Sequence, residues 1–447
     1  MTAGKNDRPR VSRDGRNPAV SHETTETAIE ECSVAASEPE TFGELHFGGA
    51  ELGDARRTKR LVRVANAIMR HPGGTLPEKM GGPAELEAMY HLMNCEEVTH
   101  ESVLAPHIAL TRKKIAEHDG FVLAIHDTTE LDFTTRESLS DRGQIGNGSH
   151  QGWLCHNTLI VDPVHREAMG LANQILHCRP VESKKETTAE KRSRLDRESR
   201  LWLQGVQSLP SDQKIVDVCD RGADTFEFLE HEVRSGRTFV VRSSYDRGTY
   251  CSDEKNATKT MLHPVARSLP SLGEWTMKVE ASKTKKTVRK TVNGKRISET
   301  VVVDRKAREA VVHVSASPVI VAAPRRHRGH HGNKPLPMWV VRVWEPNPPA
   351  GAEALEWILL TNHACTDLEA AQRVKSWYEC RWICEEFHKG QKTGCGIENP
   401  QFTSSDRLHP MIAILSVVAL SLLNLREYGR REDAKTRPAT DLFSAEY

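Results

Sequence analysis

The sequence predicts a mixed α/β fold carrying an antiparallel β insertion, and three observations point there. Short apolar runs suited to buried strands, FVLAI at 121–125 and IVDVC at 215–219, alternate with helical stretches. Between residues 244 and 350 that rhythm gives way to Thr- and Val-rich alternation with little helical periodicity. A helical segment rich in Arg and Lys precedes the first strand.

Taken in order, residues 1–45 are rich in Ser, Thr, Glu, Pro and Arg with few large apolar side chains, the composition of a disordered arm. Residues 46–118 form a small helical domain. Leu61, Val64, Ala65 and Ile68 recur at helical spacing behind an Asp54 cap, AELEAMYHLMN supplies a second helix and residues 101–117 a third. Its basic side suits phosphate contact, with a solvated helix face as the alternative. Residues 119–243 hold the first part of an α/β core. Phe121 to Ile125 reads as a buried strand with Asp127 at its C-terminal end, followed by the β-like runs WLCHNTLIVDP and AMGLANQILH. The charged stretch KKETTAEKRSRLDRESRLWLQ reads as helix, IVDVCD as a strand ending on Asp220, DTFEFLEHEVR as helix and TFVVRSS as strand. The insertion at 244–350 includes an Asn293-Gly294 turn signal and the His-rich run PRRHRGHHGNKP. Without spaced Cys or carboxylate partners that run is a cationic loop rather than a metal site. Residues 351–400 resume the core with EWILLTN and a long helix from about Asp367, and 401–447 form a short helical segment.

Totals exclude several classes. With 62 Lys and Arg against 61 Asp and Glu, the chain is no simple polycation. Ten scattered cysteines and no apolar leader favour reduced thiols and a cytoplasmic setting. No stretch reaches the roughly 18 to 20 apolar residues of a membrane span; Met411 to Leu425 is shorter, carries Ser and Asn, and reads as a buried helix.

The stretch YECRWICEEFHKGQK, residues 378–392, is the most unusual. Wound at about 100° per residue, Tyr378, Arg381, Glu385 and Lys392 share one narrow stripe, an acid flanked by two cations and a phenol. Two strands ending on aspartates and a helix offering Glu385 make a candidate divalent-metal site for phosphodiester chemistry, because carboxylates hold Mg²⁺ while leaving room for water and phosphate. Cys380, Cys384 and His388 recur every four residues and imitate a zinc site, but no fourth ligand is evident and packing thiols are the better account.

On these residues the sequence resembles the DDE-type cut-and-paste transposases of bacterial insertion sequences, whose signature is Tyr-x2-Arg-x3-Glu-x6-Lys. Tyr378, Arg381, Glu385 and Lys392 satisfy the spacing, and HDTTELDF and VCDRGADTFEFL resemble the segments bearing the family's two aspartates. LGDARRTKRLVRVA, QGWLCHNTLIV, LEWILLTN and EEFHKGQKTG extend the similarity over about residues 46–425.

The resemblance implies a ribonuclease-H-like, retroviral-integrase-like catalytic core with a β insertion and an N-terminal DNA-binding domain. Asp127, Asp220 and Glu385 would be the catalytic metal ligands, holding two Mg²⁺ or Mn²⁺ ions. Double-stranded DNA, both the inverted repeats at transposon ends and the target, would be the partner of a nucleoid-associated bacterial enzyme working as a homodimer, with no membrane. Tyr378, Arg381 and Lys392 would grip phosphates, and Trp357 would support a base flipped out during hairpin closure, with ordinary core as its alternative. Lys389 and Arg242 join them as candidate DNA contacts. For Lys389 and His388 a helix-surface place is expected rather than direct catalysis. Relatives continue past the signature into a helical dimerisation domain, whereas here 55 residues follow Lys392, so that region is expected to be abbreviated. The alternative function is a shortened, non-catalytic DNA-binding copy that inhibits transposition; a stand-alone metal nuclease is a third.

Overall fold

The computed structural model describes residues 41–438 apart from 181–185, 213, 251–257, 280, 293–294, 325–329, 432–433 and 437. The arm expected at 1–45 therefore lies outside the described residues except for its last five, of which 42–45 are helical. Thr41 caps α1 (Phe42–Phe47) through a reciprocal pair with Glu44. Helix α2 (Ala55–Arg70) is capped by Asp54, whose carboxylate accepts from Arg56 N, and the helix buries Leu61, Val64, Ala65 and Ile68. Two further helices, α3 (Leu76–Met80) and α4 (Pro83–Met93), lead to α5 (His100–Glu117), capped by Thr99.

Then comes the sheet. Strands β1 (Val122–Asp132), β2 (Gly143–Gln144), β3 (Gln151–Asp162) and β4 (Glu167–His177) are joined antiparallel. The charged stretch that reads as one helix is instead two short ones, α6 (Thr188–Ser193) and α7 (Leu201–Gln207), because Arg194 takes an extended backbone, ψ 136°. Strand β5 (Ile215–Cys219), helix α8 (Phe226–Ser235) and strand β6 (Thr238–Arg242) follow, and β5 runs parallel to both β1 and β6.

The region expected to be β-rich contains β7 (Gly248–Tyr250), β8 (Thr260–Met261), α9 (Leu262–Ser268), β9 (Gly273–Val279), β10 (Ser282–Val292), β11 (Lys295–Arg305), β12 (Arg308–Val321) and β13 (Leu336–Trp344). Among the described residues, β10 and β11 make a separate two-stranded sheet; the turn expected at Asn293-Gly294 lies outside the described residues. Strands β12 and β13 join β14 (Glu356–Thr361), which pairs antiparallel with β6, so among the described residues one mixed sheet runs from β2 to β8, with β4 and β9 branching from β3 and β12 to make twelve strands.

Helices α10 (Leu368–Glu379) and α11 (Trp382–Lys389) carry the signature stretch, and α12 (Ser405–Gly429) ends the described fold. The last corrects an expectation: it is long and apolar enough to cross a membrane by length and composition, yet 72% of its most apolar window is buried. It packs on α2, α4, α5 and β4, a core helix holding the N-terminal helices to the sheet.

Candidate active site

Alternation along the strands decides which side chains meet. Leu123, Ile125, Val216, Val218 and Val240 belong to the core on one face, here called the front. Val122, Ala124, Ile215, Cys219 and Val241 point to the back. The parallel ladder between β1 and β5 ends at His126 beside Cys219, and that between β5 and β6 at Cys219 beside Val241. One residue further along, Asp127, Asp220 and Arg242 stand level on three neighbouring strands, all on the front face. Asp127 thus lies in the middle of β1 rather than at its end, because β3 keeps pairing with β1 as far as Asp132 after β5 has left. On its other side Asp127 is level with Asn157, and Asn157 with Gln174.

The signature helix is not continuous. Backbone hydrogen bonds of Cys380 to Trp377, Arg381 to Tyr378, Ile383 to Cys380 and Cys384 to Arg381 tighten the chain between α10 and α11 into a 3₁₀-like turn. Residues Gly390–Gly394 then widen into a π turn. The single stripe therefore splits. Tyr378, Arg381 and Glu385 reach the aspartates, whereas Lys392 sits on the π turn 3.7 Å from Glu398.

A polar cavity of about 340 Å³ results, lined by Asp127, Thr128, Asp220, Arg221, Arg242, Tyr378, Arg381, Glu385 and His388. Arg381 spans two of its acids: Nη1 donates to Asp127 Oδ2 at 2.7 Å and Nη2 to Glu385 Oε1. Asp127 Oδ1 also accepts from Thr128 N at 2.8 Å, and Asp220 Oδ1 from Gly222 N at 2.9 Å. Gly222 has no room for a side chain, since a Cβ there would collide with the Trp202 ring. Burial pushes Asp127 up to about 6, with Arg381 opposing and Asp220 and Glu385 adding repulsion. Burial also raises Asp220, against the Gly222 N–H and Arg381.

Around the acids, Tyr378 is buried, its phenol raised by burial and lowered by Arg381 and Arg242 beside it, and its hydroxyl makes no well-formed hydrogen bond. Trp357 does not line the cavity. It is half-buried and meets Tyr378 edge to face at 5.4 Å. Lys389 is exposed as expected, but His388 is not: it is buried, lines the cavity and is held neutral, its pKa pushed down to about 3 by burial and then by Lys392 and Arg381.

Three lining residues were not singled out from sequence: Thr128, Arg221 and, as a cavity residue, His388. The first two adjoin the aspartates in sequence, a signal available without structure. The back face holds another unread cluster. Asp217, fully buried, receives Arg237 Nε at 2.8 Å and Nη2 at 3.1 Å and contacts His126 Nε2 at 2.9 Å. An aspartate inside the apolar run IVDVC was its signal, because a charge at a buried strand position demands a partner.

Comparison with known families adds one finding: residues 39–98 match the transposase DNA-binding family model. The match covers α1 to α4 and supports DNA as this region's partner and a transposase role for the chain.

Proposed function

We propose that the chain is a DDE-type transposase with a ribonuclease-H-like core, in which Asp127, Asp220 and Glu385 hold two Mg²⁺ or Mn²⁺ ions. One observation carries the reading: three carboxylates from β1, the end of β5 and α11 line a single cavity together with Tyr378 and Arg381 of the signature. The donor set fits such ions. Its ligands are hard oxygens, and the raised Asp127 and Asp220 describe buried charge that a divalent cation would offset. When bound, the ions would activate the attacking oxygen and stabilise the departing one.

The chain's own residues do the rest. Arg381 holds Asp127 and Glu385 in place and offers a planar fork to phosphate, while Arg242 and Arg221 add positive charge beside Asp220. Lys389 and Lys392 grip DNA beyond the cavity. Trp357, braced by Tyr378, supports the base extruded when the DNA end closes into a hairpin. Water nicks the element end, the freed 3′-hydroxyl attacks the opposite strand, water reopens the hairpin, and the 3′-ends join target DNA. Each step is an in-line displacement at phosphorus, so one cavity serves all four. Two ends require two copies, hence a homodimer on the DNA of the bacterial nucleoid.

Incubation with labelled element ends and Mg²⁺ tests this. Hairpins and strand-transfer products are expected. Binding without cleavage would make the chain the inhibitory copy, and nicks alone a nuclease. Cleavage that survives Asp127→Ala would overturn the site.

A further inference from the structure

One cluster at the edge of the cavity has a chemistry that three hard carboxylates do not need. A ligand atom from each of Asp127, Cys384 and His388 lies within 4.8 Å of the other two, and all three residues are buried. Cys384 Sγ stands 3.6 Å from His388 Nε2. A tetrahedral zinc ion, with bonds of about 2.3 Å to sulfur and about 2.0–2.1 Å to nitrogen, holds those atoms about 3.5 Å apart. The separation already matches.

The surroundings prepare the imidazole. Gln174 Nε2 donates to Asn157 Oδ1 at 2.7 Å, which leaves Asn157 Nδ2 as the donor facing His388 Nε2 at 3.1 Å. Nε2 is thus the unprotonated nitrogen, and an ion bound there takes the place of the Asn157 N–H that it now accepts. Asp127 and His388 line the cavity, which gives an ion a way in and leaves the fourth position to water. Cys380, the other thiol of the four-residue series, stays outside the cluster.

We infer that Asp127, Cys384 and His388 form a binding site for a soft divalent ion of the Zn²⁺ type, distinct in ligand chemistry from the three-carboxylate site and sharing Asp127 with it. Binding releases the Cys384 thiol proton to solvent and leaves a thiolate on the ion. Thiolate and imidazole select against Mg²⁺, which takes oxygen ligands. Zn²⁺ in this site draws Asp127 away from the carboxylate set and so antagonises the Mg²⁺ reaction; that consequence rests on the proposed transposase reading, while the binding itself does not.

Co²⁺ titration of the full chain separates the two. One equivalent should produce a near-ultraviolet sulfur-to-cobalt charge-transfer band in the wild type and in Cys380→Ala, and none in Cys384→Ala. Cys384→Ser, which keeps the side-chain volume, should lose it too, so a poorly folded alanine variant does not leave the question open. No band in the wild type, or a band that survives in both Cys384 variants, overturns the site. In the cleavage assay, equimolar Zn²⁺ should depress Mg²⁺-supported activity at least tenfold in the wild type and less than twofold in Cys384→Ala; equal inhibition of both overturns the antagonism. If Mg²⁺ supports no cleavage at all, the transposase reading fails while the cobalt band still decides the site.

Discussion

The two faces of the central sheet handle buried acids in opposite ways, within a few residues of each other. On the back, Asp217 is closed in: Arg237 grips both of its oxygens, His126 takes a further contact, and Thr158 Oγ1 lies 3.1 Å from His126 Nδ1. Helix α7 lies so close that a Cβ on Gly205 would stand 2.8 Å from both His126 Nδ1 and His156 Nε2. On the front, Arg381 spans Asp127 and Glu385, Arg221 and Arg242 stand beside Asp220, and the acids open onto a cavity. The same residue type serves two ends. Where the protein packs the counter-charge over, an aspartate is structural; where a cavity stays open beside it, it is available for a ligand.

The largest effect that tests this contrast is on the front. Asp127→Ala should lower cleavage about 10⁴-fold, roughly 5–6 kcal/mol of transition-state stabilisation, with the melting temperature unchanged or raised. A cleavage assay paired with thermal unfolding reads both, and a variant that melts early would break the comparison. The mirror experiment is Asp217→Ala. It strands Arg237 and His126 in a buried site and should cost about 3–5 kcal/mol of stability, independent of Mg²⁺. A loss below about 1 kcal/mol in urea unfolding would show that the back face is not the tightly compensated one.

Smaller and sharper is the pH dependence without metal. The folded-state value for Asp127, about 6, lies above its ordinary 3.8, so the folded chain holds that proton more tightly than the unfolded one. The contribution of this group to stability is greatest below about pH 4 and falls as pH rises to about 6, by on the order of 2–3 kcal/mol. Asp127→Asn should flatten that slope, and Mg²⁺ at about 100 times its dissociation constant should restore roughly 2.7 kcal/mol to the wild type at neutral pH. The smallest effect concerns exposed Lys389 at the end of α11, next to cavity-lining His388. Lys389→Ala should weaken DNA binding less than tenfold and reduce the salt slope of affinity by about 1, as loss of one phosphate contact does.

Much of this was legible from residues alone. The apolar run at 121–125 opens β1, apart from exposed Phe121, the run at 215–219 became β5, and Asp54 caps α2 as its position suggests. The spacing of Tyr378, Arg381 and Glu385 put three groups within reach of one cavity. Other features were not legible. Asp127 sits mid-strand because β3 outlasts β5 as its neighbour, and strand length on one side says nothing of pairing on the other. The 3₁₀-like and π turns that part Lys392 from its stripe, and the burial of His388, come from packing against the sheet rather than from helix propensity.

By itself, then, the sequence determined the kinds of element, the alternation that assigns each side chain to a face, and the chemical groups at hand, since hydropathy and backbone preference act over a few residues. Only the tertiary structure decided that Asp127, Asp220 and Glu385 share a cavity while Asp217 is sealed behind them. That outcome depends on the register of strands far apart in the chain, and a shift of one residue would exchange the two faces.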